Sequence, residues 1–285
     1  MNELDDLSTH LREVATEAAL AVAPDLLAAF RGAMDVDFKR DEHDPVTVHD
    51  RRAEERIREV LLHRVPGSTV VGEEGGRRDG SGRIAWYVDP IDGTANFARG
   101  LAFFCTSVGA TVDGEPVAGA IVDPVAGHVF TADTGGSRLG GERLAPAGVR
   151  DEARGLLITS FPTSRELARS DPETLRRFGE LVARYGTVRR TGSAALTLAH
   201  VAAGWCDAAL GTSVNAWDIC AARVLVRGSG AVYTAFAGNG DGSGDDGGAG
   251  GWDQRGYLAH TARLNPVVVR EFVDWYESGL SRSAA

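Results

Sequence analysis

Apolar residues recur at steps of three and four near the start of the chain: Leu7, Leu11, Val14 and Ala18, then Leu26, Leu27 and Phe30. That period predicts a helix over 4–33, kinked or divided at Pro24, which cannot donate an interior helical hydrogen bond. A polar, charged link runs from Asp35 to Asp44. Thr47-Val-His-Asp50 then reads as a cap opening a second helix, with Ala53, Ile57, Val60 and Leu61 on one face. From Ser68 the pattern becomes that of strands. Thr69–Val71, Ile84–Val88, Phe103–Val112, Pro116–Val122 and Gly127–Ala132 are short apolar or β-rich runs. The turns Asp113-Gly114 and Asp123-Pro-Val-Ala-Gly127 join the last three as an antiparallel meander.

Past Asp151 strands and helices alternate. Leu156–Ser160, Thr187–Arg190 and Ala208–Gly211 read as strands, and Glu173–Tyr185, Ala194–Ala203 and Ile219–Val226 as helices. A last helix is expected over Pro266–Tyr276. Such alternation predicts a layered α/β half over 151–285, following an α+β half over 1–150. Residues 238–251 read GNGDGSGDDGGAGG. A calcium loop can be tried from Asn239, but no Glu takes the twelfth position, and the run reads as a flexible hairpin tip or loop.

Composition narrows the function classes. With 285 residues and 43% hydrophobic content, the chain can bury the core of one large domain or two modest ones. Forty acidic residues against 30 Lys and Arg give a net charge of −10, which argues against a nucleic-acid partner held by overall charge. No apolar run reaches the ~18 residues of a membrane span. The acidic, polar N-terminus lacks the features of a signal peptide. Cys105, Cys206 and Cys220 are odd in number and far apart, which fits neither a disulfide framework nor a zinc site. A reducing cytoplasm is the expected location.

The strongest chemical signal is Trp86-Tyr-Val-Asp89-Pro-Ile-Asp92-Gly-Thr94-Ala-Asn96-Phe97. An apolar strand runs into Asp89, Pro90 stiffens the turn, and Gly93 permits an unusual backbone angle. Two carboxylates at a strand end repel each other when they converge, so they commonly hold a cation. Hard oxygen ligands favour Mg²⁺ or Mn²⁺ over zinc. A Gly-Thr at a helix start presents N–H groups that suit a phosphate. Taken alone, the motif also reads as an Asp-rich turn capping a helix. Three further acidic positions bear on the choice: Glu73-Glu74 after the strand Thr69–Val71, Asp218 in Asn215-Ala-Trp217-Asp218 before a helix, and Asp50. Each alone also reads as solvated surface.

Together these segments resemble the inositol monophosphatase family, within the magnesium-dependent, lithium-sensitive phosphatase superfamily. The resemblance rests on Glu73-Glu74, Asp89-Pro-Ile-Asp92-Gly-Thr94 with Asn96-Phe97, and Trp217-Asp218. Asp44-Pro-Val-Thr47 with Asp50, and Gly192-Ser-Ala194-Ala195, extend it from about residue 39 to 230 in family order. It implies a layered αβαβα sandwich of the inositol monophosphatase/fructose-bisphosphatase type, and a homodimer. It implies that Glu73, Asp89 and the Ile91 carbonyl hold one Mg²⁺, that Asp89, Asp92 and Asp218 hold a second, and that a third, weaker ion sits near Glu73. Gly93 and Thr94 would cradle the phosphate. Asp50 and the Thr94 hydroxyl, with Glu73, would serve the attacking water. Gly192, Ser193, Ala194 and the Gly211 position would border the substrate. Lys39, eleven residues before Asp50, matches a family lysine near the site, and reads equally as an exposed linker lysine. His200 reads as a packed or surface histidine, and Cys220 as a small buried hydrophobe. A metal mechanism does not need His43 or His49.

The implied activity is hydrolysis of a small polyol, sugar or cyclitol phosphate by metal-activated water. Inositol-specific members carry a substrate-binding Glu seven residues before the Trp-Asp aspartate, where this chain has Gly211. A nucleotide 3′-phosphatase and a histidinol-phosphate phosphatase are the alternatives. Ala95-Asn96-Phe97 departs from the Lys-Glu-Phe or Lys-Ser-Phe usual in those branches. A regulatory protein on the same fold is the reading from another class.

Overall fold

The computed structural model describes residues 3–32, 36–38, 45–168, 170–238 and 251–283. The first helix is divided at the proline, as expected: α1 (Glu3–Leu20) ends, and α2 (Ala23–Ala29) restarts with Pro24 in its first turn. Two short strands, β1 (Val36–Phe38) within the charged link and β2 (Pro45–Thr47) just after it, pair antiparallel. The Thr47 cap opens α3 (Val48–Arg64). Then follow β3 (Thr69–Gly72), β4 (Gly76–Arg78), β5 (Ile84–Asp92), α4 (Thr94–Arg99), β6 (Cys105–Val112), β7 (Glu115–Asp123), β8 (His128–Asp133), β9 (Gly136–Leu139) and β10 (Glu142–Arg143). These strands form one sheet in the order β10-β9-β8-β7-β6-β5-β3-β4. The meander over β6, β7 and β8 is antiparallel, and only β3 and β5 pair in parallel.

The second part of the chain gives β11 (Leu156–Thr159), α5 (Ser164–Ala168), α6 (Pro172–Arg184), β12 (Thr187–Arg189), α7 (Ala194–Ala203), β13 (Ala208–Gly211), α8 (Ala216–Gly228), β14 (Val232–Phe236), β15 (Gly256–His260) and α9 (Val267–Ser283). Its sheet runs β12-β11-β13-β15-β14, parallel over the first three strands and antiparallel over the rest. Neither strand of the pair β14–β15 was picked out along the chain, although a hairpin tip over 238–251 implies two such strands. The glycine-rich run lies between these two strands, and residues 239–250 of it fall outside the described residues.

Three apolar cores stack these elements. Leu11, Val14, Ile57 and Leu61 from α1 and α3 pack on Trp86, Val88 and Val108 of the larger sheet. On its other face Tyr87, Ile121 and Phe130 meet α7 and α8 through Leu198, Ala221 and Leu225, and the same helices pack on Ala209 and Tyr257 of the smaller sheet. Leu181 of α6 and Val269 and Phe272 of α9 cover the far face of that sheet against Leu157, Leu210 and Leu258. The order is α, β, α, β, α, which is the expected layered sandwich. Among the described residues no helix is long and apolar enough to cross a membrane.

The middle helical layer fits closely against the larger sheet. A Cβ added at Gly109 would come within 2.6 Å of the Ala221 backbone nitrogen and the Cys220 sulfur, and one at Gly119 within 2.6 Å of the Ala221 methyl. The small residues of β6 and β7 therefore set how near α8 can lie. Gly109→Ala and Gly119→Ala are each expected to destabilise the fold by about 1–3 kcal/mol through overpacking. Gly179→Ala, exposed on α6 with nothing within 4 Å of the new methyl, should stabilise it by up to ~1 kcal/mol. Denaturant midpoints check the opposite signs.

Candidate active site

Side chains three apart on a regular strand point to opposite faces. Asp89 and Asp92 do not, because β5 carries a bulge between them. Asp89 is paired with Ser107 and Asp92 with Cys105, so three steps on β5 answer two on β6. Val88 and Ile91 both enter the core under α1 and α3, which shows the change of phase across Pro90. Both carboxylates thereby face the middle helical layer. The Asp89 Oδ1 accepts the Ile91 N–H at 3.0 Å, and the Thr106 hydroxyl donates to the Pro90 carbonyl at 2.9 Å, which together hold the bulge. Gly93 follows at φ 99°, in the left-handed region where a side chain is strained. It turns the chain into α4, which Phe97 anchors against Phe104 and Phe30.

The other carboxylates arrive on helix starts and a loop. Asp50, in the first turn of α3, is 1% exposed, and its Oδ2 accepts the Thr47 N–H at 2.7 Å and the Thr47 hydroxyl at 2.6 Å. The Thr94 hydroxyl lies 3.0 Å from both Asp50 Oδ1 and the Ile91 carbonyl, and its single proton serves one of them at a time. Asp218, in the first turn of α8, accepts the Asn215 N–H at 2.7 Å. Asp92 reaches across to α7: its Oδ2 accepts the Ser193 hydroxyl and the Ala195 N–H, each at 2.6 Å, and its Oδ1 accepts the Ala194 N–H at 3.2 Å. Glu73 extends the line of β3, its N–H bonded to the Val88 carbonyl at 3.1 Å, and its carboxylate is near enough to Asp89 to raise it.

One oxygen from each of Asp89, Asp92 and Asp218 falls within 4.8 Å of the others. Burial, then the charges of Glu73, Asp92 and Asp218, push Asp89 well above the usual carboxylate range. Asp218 is raised by burial and by Asp92 and Glu73. Asp92 is pushed up to about 6 by burial, against the lowering effect of its bonds from Ser193, Ala195 and Ala194. Groups so placed cannot all ionise without a compensating cation. The donors are hard oxygens, so the residues present fit Mg²⁺ or a similar hard ion and do not suit a soft metal.

The remaining expected residues divide. Gly192, Ser193 and Ala194 line the pocket over Asp92 and Asp218, with Ser193 and Ala194 also bonded to Asp92. Gly211 is buried on β13, and a Cβ there would fall on the Tyr257 ring, which lines the pocket in its place. Lys39 and His43 lie outside the described residues. His200 is half-buried, its ring edge-on to Phe103. Cys220 is fully buried in the middle layer, as a small hydrophobe.

Glu54, which carried no signal along the chain, and Asn96, which belongs to the Asp89–Phe97 motif, also bear on the site. Glu54, 2% exposed, accepts the Glu74 N–H at 2.7 Å and the Gly75 N–H at 2.8 Å, and pairs with Arg58 at 2.6 Å. It thus braces the loop that presents Glu73. Asn96 donates to the Phe103 and Thr191 carbonyls, both at 2.7 Å, and so ties α4 to the loop before α7.

The model of the inositol monophosphatase family matches residues 7–272. Inositol-1-monophosphatase SuhB of Mycobacterium tuberculosis (strain ATCC 25618 / H37Rv) is 41% identical over 198 residues, 66% of this chain and 67% of that protein. Nus factor SuhB of Pasteurella multocida is 37% identical over 201 residues, 70% of this chain and 74% of that protein. Among solved structures, inositol monophosphatase from Anabaena (Nostoc) sp. PCC 7120 aligns with a TM-score of 0.76 at 28% identity, over 94% of this chain and 97% of that chain. The chain belongs to the inositol monophosphatase family.

Proposed function

We propose that the protein is a Mg²⁺-dependent phosphomonoesterase acting on a small polyol, sugar or cyclitol phosphate. The observation that carries the reading is the convergence of the buried Asp89 and Asp92 of β5 with the half-buried Asp218 of α8, beside a hydrogen-bonded Asp50–Thr94 pair. Asp89, Asp92 and Asp218, with Glu73 and the Ile91 carbonyl, would hold two or three ions. When bound, the ions supply positive charge that attracts the phosphate, polarises its oxygens and favours ionisation of a water. The chain's own groups then have defined tasks. Helix starts carry N–H groups without an intrahelical acceptor, so those at Gly93 and Thr94 serve the phosphate oxygens. The Thr94 hydroxyl passes its proton to Asp50 Oδ1 as its oxygen takes one from the attacking water. Thr47 fixes Asp50 through Oδ2, which keeps Oδ1 directed at Thr94.

A second reading has a specific support. Proteins of Pasteurella multocida, Pseudomonas aeruginosa and Escherichia coli similar to this chain bear the name Nus factor SuhB rather than that of a phosphatase. On that reading the fold serves binding. The set of Asp50, Thr94, Glu73, Asp89, Asp92 and Asp218 is more than a binding surface requires, and turnover separates the two.

Phosphate release from inositol 1-phosphate, sugar phosphates, histidinol phosphate and 3′-phosphoadenosine 5′-phosphate should therefore depend on Mg²⁺ and stop with chelator. Asp92→Asn should lower kcat by at least about 100-fold, the scale of several kcal/mol of lost charge stabilisation. Asp50→Asn and Thr94→Val should each cost roughly 10²–10⁴, as for a lost proton-transfer group. Full activity in Asp92→Asn would overturn the metal assignment, and no turnover of any substrate would favour the second reading.

The raised carboxylates also set a pH dependence. For Asp92 the folded value, about 6, exceeds the unfolded one, so the native state holds more protons between them. Stability without metal is therefore lost as pH rises from about 4 through about 6. A bound cation offsets this loss. The gain in Tm on replacing EDTA by Mg²⁺ should be small at pH 5 and grow toward pH 7.5, as thermal scans across that range would show. A gain that is flat with pH would contradict the assignment.

A further inference from the structure

The acids of the site are anchored unequally. Asp89 and Asp92 lie on β5, which has β3 on one side and β6 on the other, and Asp218 is fixed in the first turn of α8. Glu73 instead sits in the turn Gly72–Gly75, which leads from β3 to β4, an exposed three-residue strand at the edge of the larger sheet. Its own N–H is held by the Val88 carbonyl at 3.1 Å. The next two N–H groups, of Glu74 and Gly75, both turn to one buried carboxylate, that of Glu54.

Glu54 spends both oxygens on this turn. Oε2 accepts the Glu74 N–H at 2.7 Å, Oε1 accepts the Gly75 N–H at 2.8 Å, and Arg58, one turn further along α3, donates Nη2 to Oε1 at 2.6 Å. Successive backbone N–H groups that converge on an anion form a concave nest, and here the anion is the chain's own side chain. Bonds to an ionised acceptor are the strong kind, and Arg58 balances the charge that Glu54 brings close to Glu73. The approach requires glycine on either side of Glu73-Glu74. A Cβ at Gly72 would fall 2.3 Å from the Glu54 carboxyl carbon, and one at Gly75 2.6 Å from its Oε1. Groups that orient a metal ligand in this way change metal affinity by about 10–100-fold when they are removed.

We propose that Glu54 is a positioning residue of the cation centre: by fixing the turn Gly72–Gly75 it sets the affinity for the cation shared by Glu73 and Asp89, and not for the one between Asp92 and Asp218. This rests on the cation assignment of the phosphatase reading and is read in ion binding rather than in turnover. Asp92 takes its place from Ser193, Ala194 and Ala195, and Asp218 from Asn215, with no contribution from Glu54. Glu54→Gln keeps the volume but exchanges one acceptor oxygen for a donor nitrogen, so one of the two N–H groups loses its acceptor.

Calorimetric titration of the metal-free protein with Mg²⁺ tests the proposal. In Glu54→Gln one ion should bind about 10–100-fold more weakly, while another stays within about twofold of the wild type. The double variant Glu54→Gln/Glu73→Gln should bind Mg²⁺ as Glu73→Gln alone does, because Glu54 acts through Glu73. Denaturant midpoints in EDTA report folding alongside. If Glu54→Gln does not fold, Gly75→Ala disturbs the same contact from an exposed position and should give the same selective loss. Wild-type affinity in the folded variant overturns the proposal. So does an equal loss for every ion, or a double variant weaker than Glu73→Gln by the whole Glu54→Gln factor, because either is the mark of a general loosening of the fold. A wild type that binds no Mg²⁺ overturns the cation assignment and this proposal with it. A wild type that binds Mg²⁺ and releases no phosphate removes the phosphatase reading alone, and the titration still decides the role of Glu54.

Discussion

Burying several like charges at one point is the constraint on which this molecule turns. Left alone, Asp89, Asp92 and Asp218 would repel one another and draw in protons, and their raised values register that cost. The fold offsets part of it with helix N-termini. Asp50 lies in the first turn of α3 and Asp218 in that of α8, while Asp92 accepts N–H groups from the start of α7. The start of α4, at Gly93 and Thr94, meets the same place. Each helix contributes unsatisfied N–H groups and the positive end of its dipole where the acids gather. The layered sandwich makes this convergence available, because α7 and α8 lie between the sheets and begin near the end of β5.

The same bonds that cap the helices also aim the acids. Asp89 uses one oxygen to hold the bulge of β5, Asp50 one to close the cap at Thr47, and Asp218 one on the Asn215 N–H. Structural and chemical tasks are thus divided between the two oxygens of one carboxylate. It follows that replacing such an acid by its amide disturbs a cap as well as a charge, and that loss of function there needs a measure of folding beside it. Glu54 shows the principle one step removed. It gives its carboxylate to the Glu74 and Gly75 N–H groups and so sets the path of the loop that carries Glu73.

What could be read along the chain follows from this division. The strand–Asp89-Pro-Ile-Asp92-Gly-Thr94–helix segment is local, and its proline, glycine and threonine announce a turn and a helix start before any contact is known. The capping pattern at Thr47 and Asp50 is local in the same sense. The bulge at Pro90 is not, since a register shift exists only relative to β6. Glu54 carries no local signal either, because a Glu inside a helix looks like solvated surface until the β3–β4 turn is packed on it. The strands β14 and β15 escaped the pattern because β15 is buried along its whole length, which erases alternation, and β14 is marked as a strand by its pairing with β15.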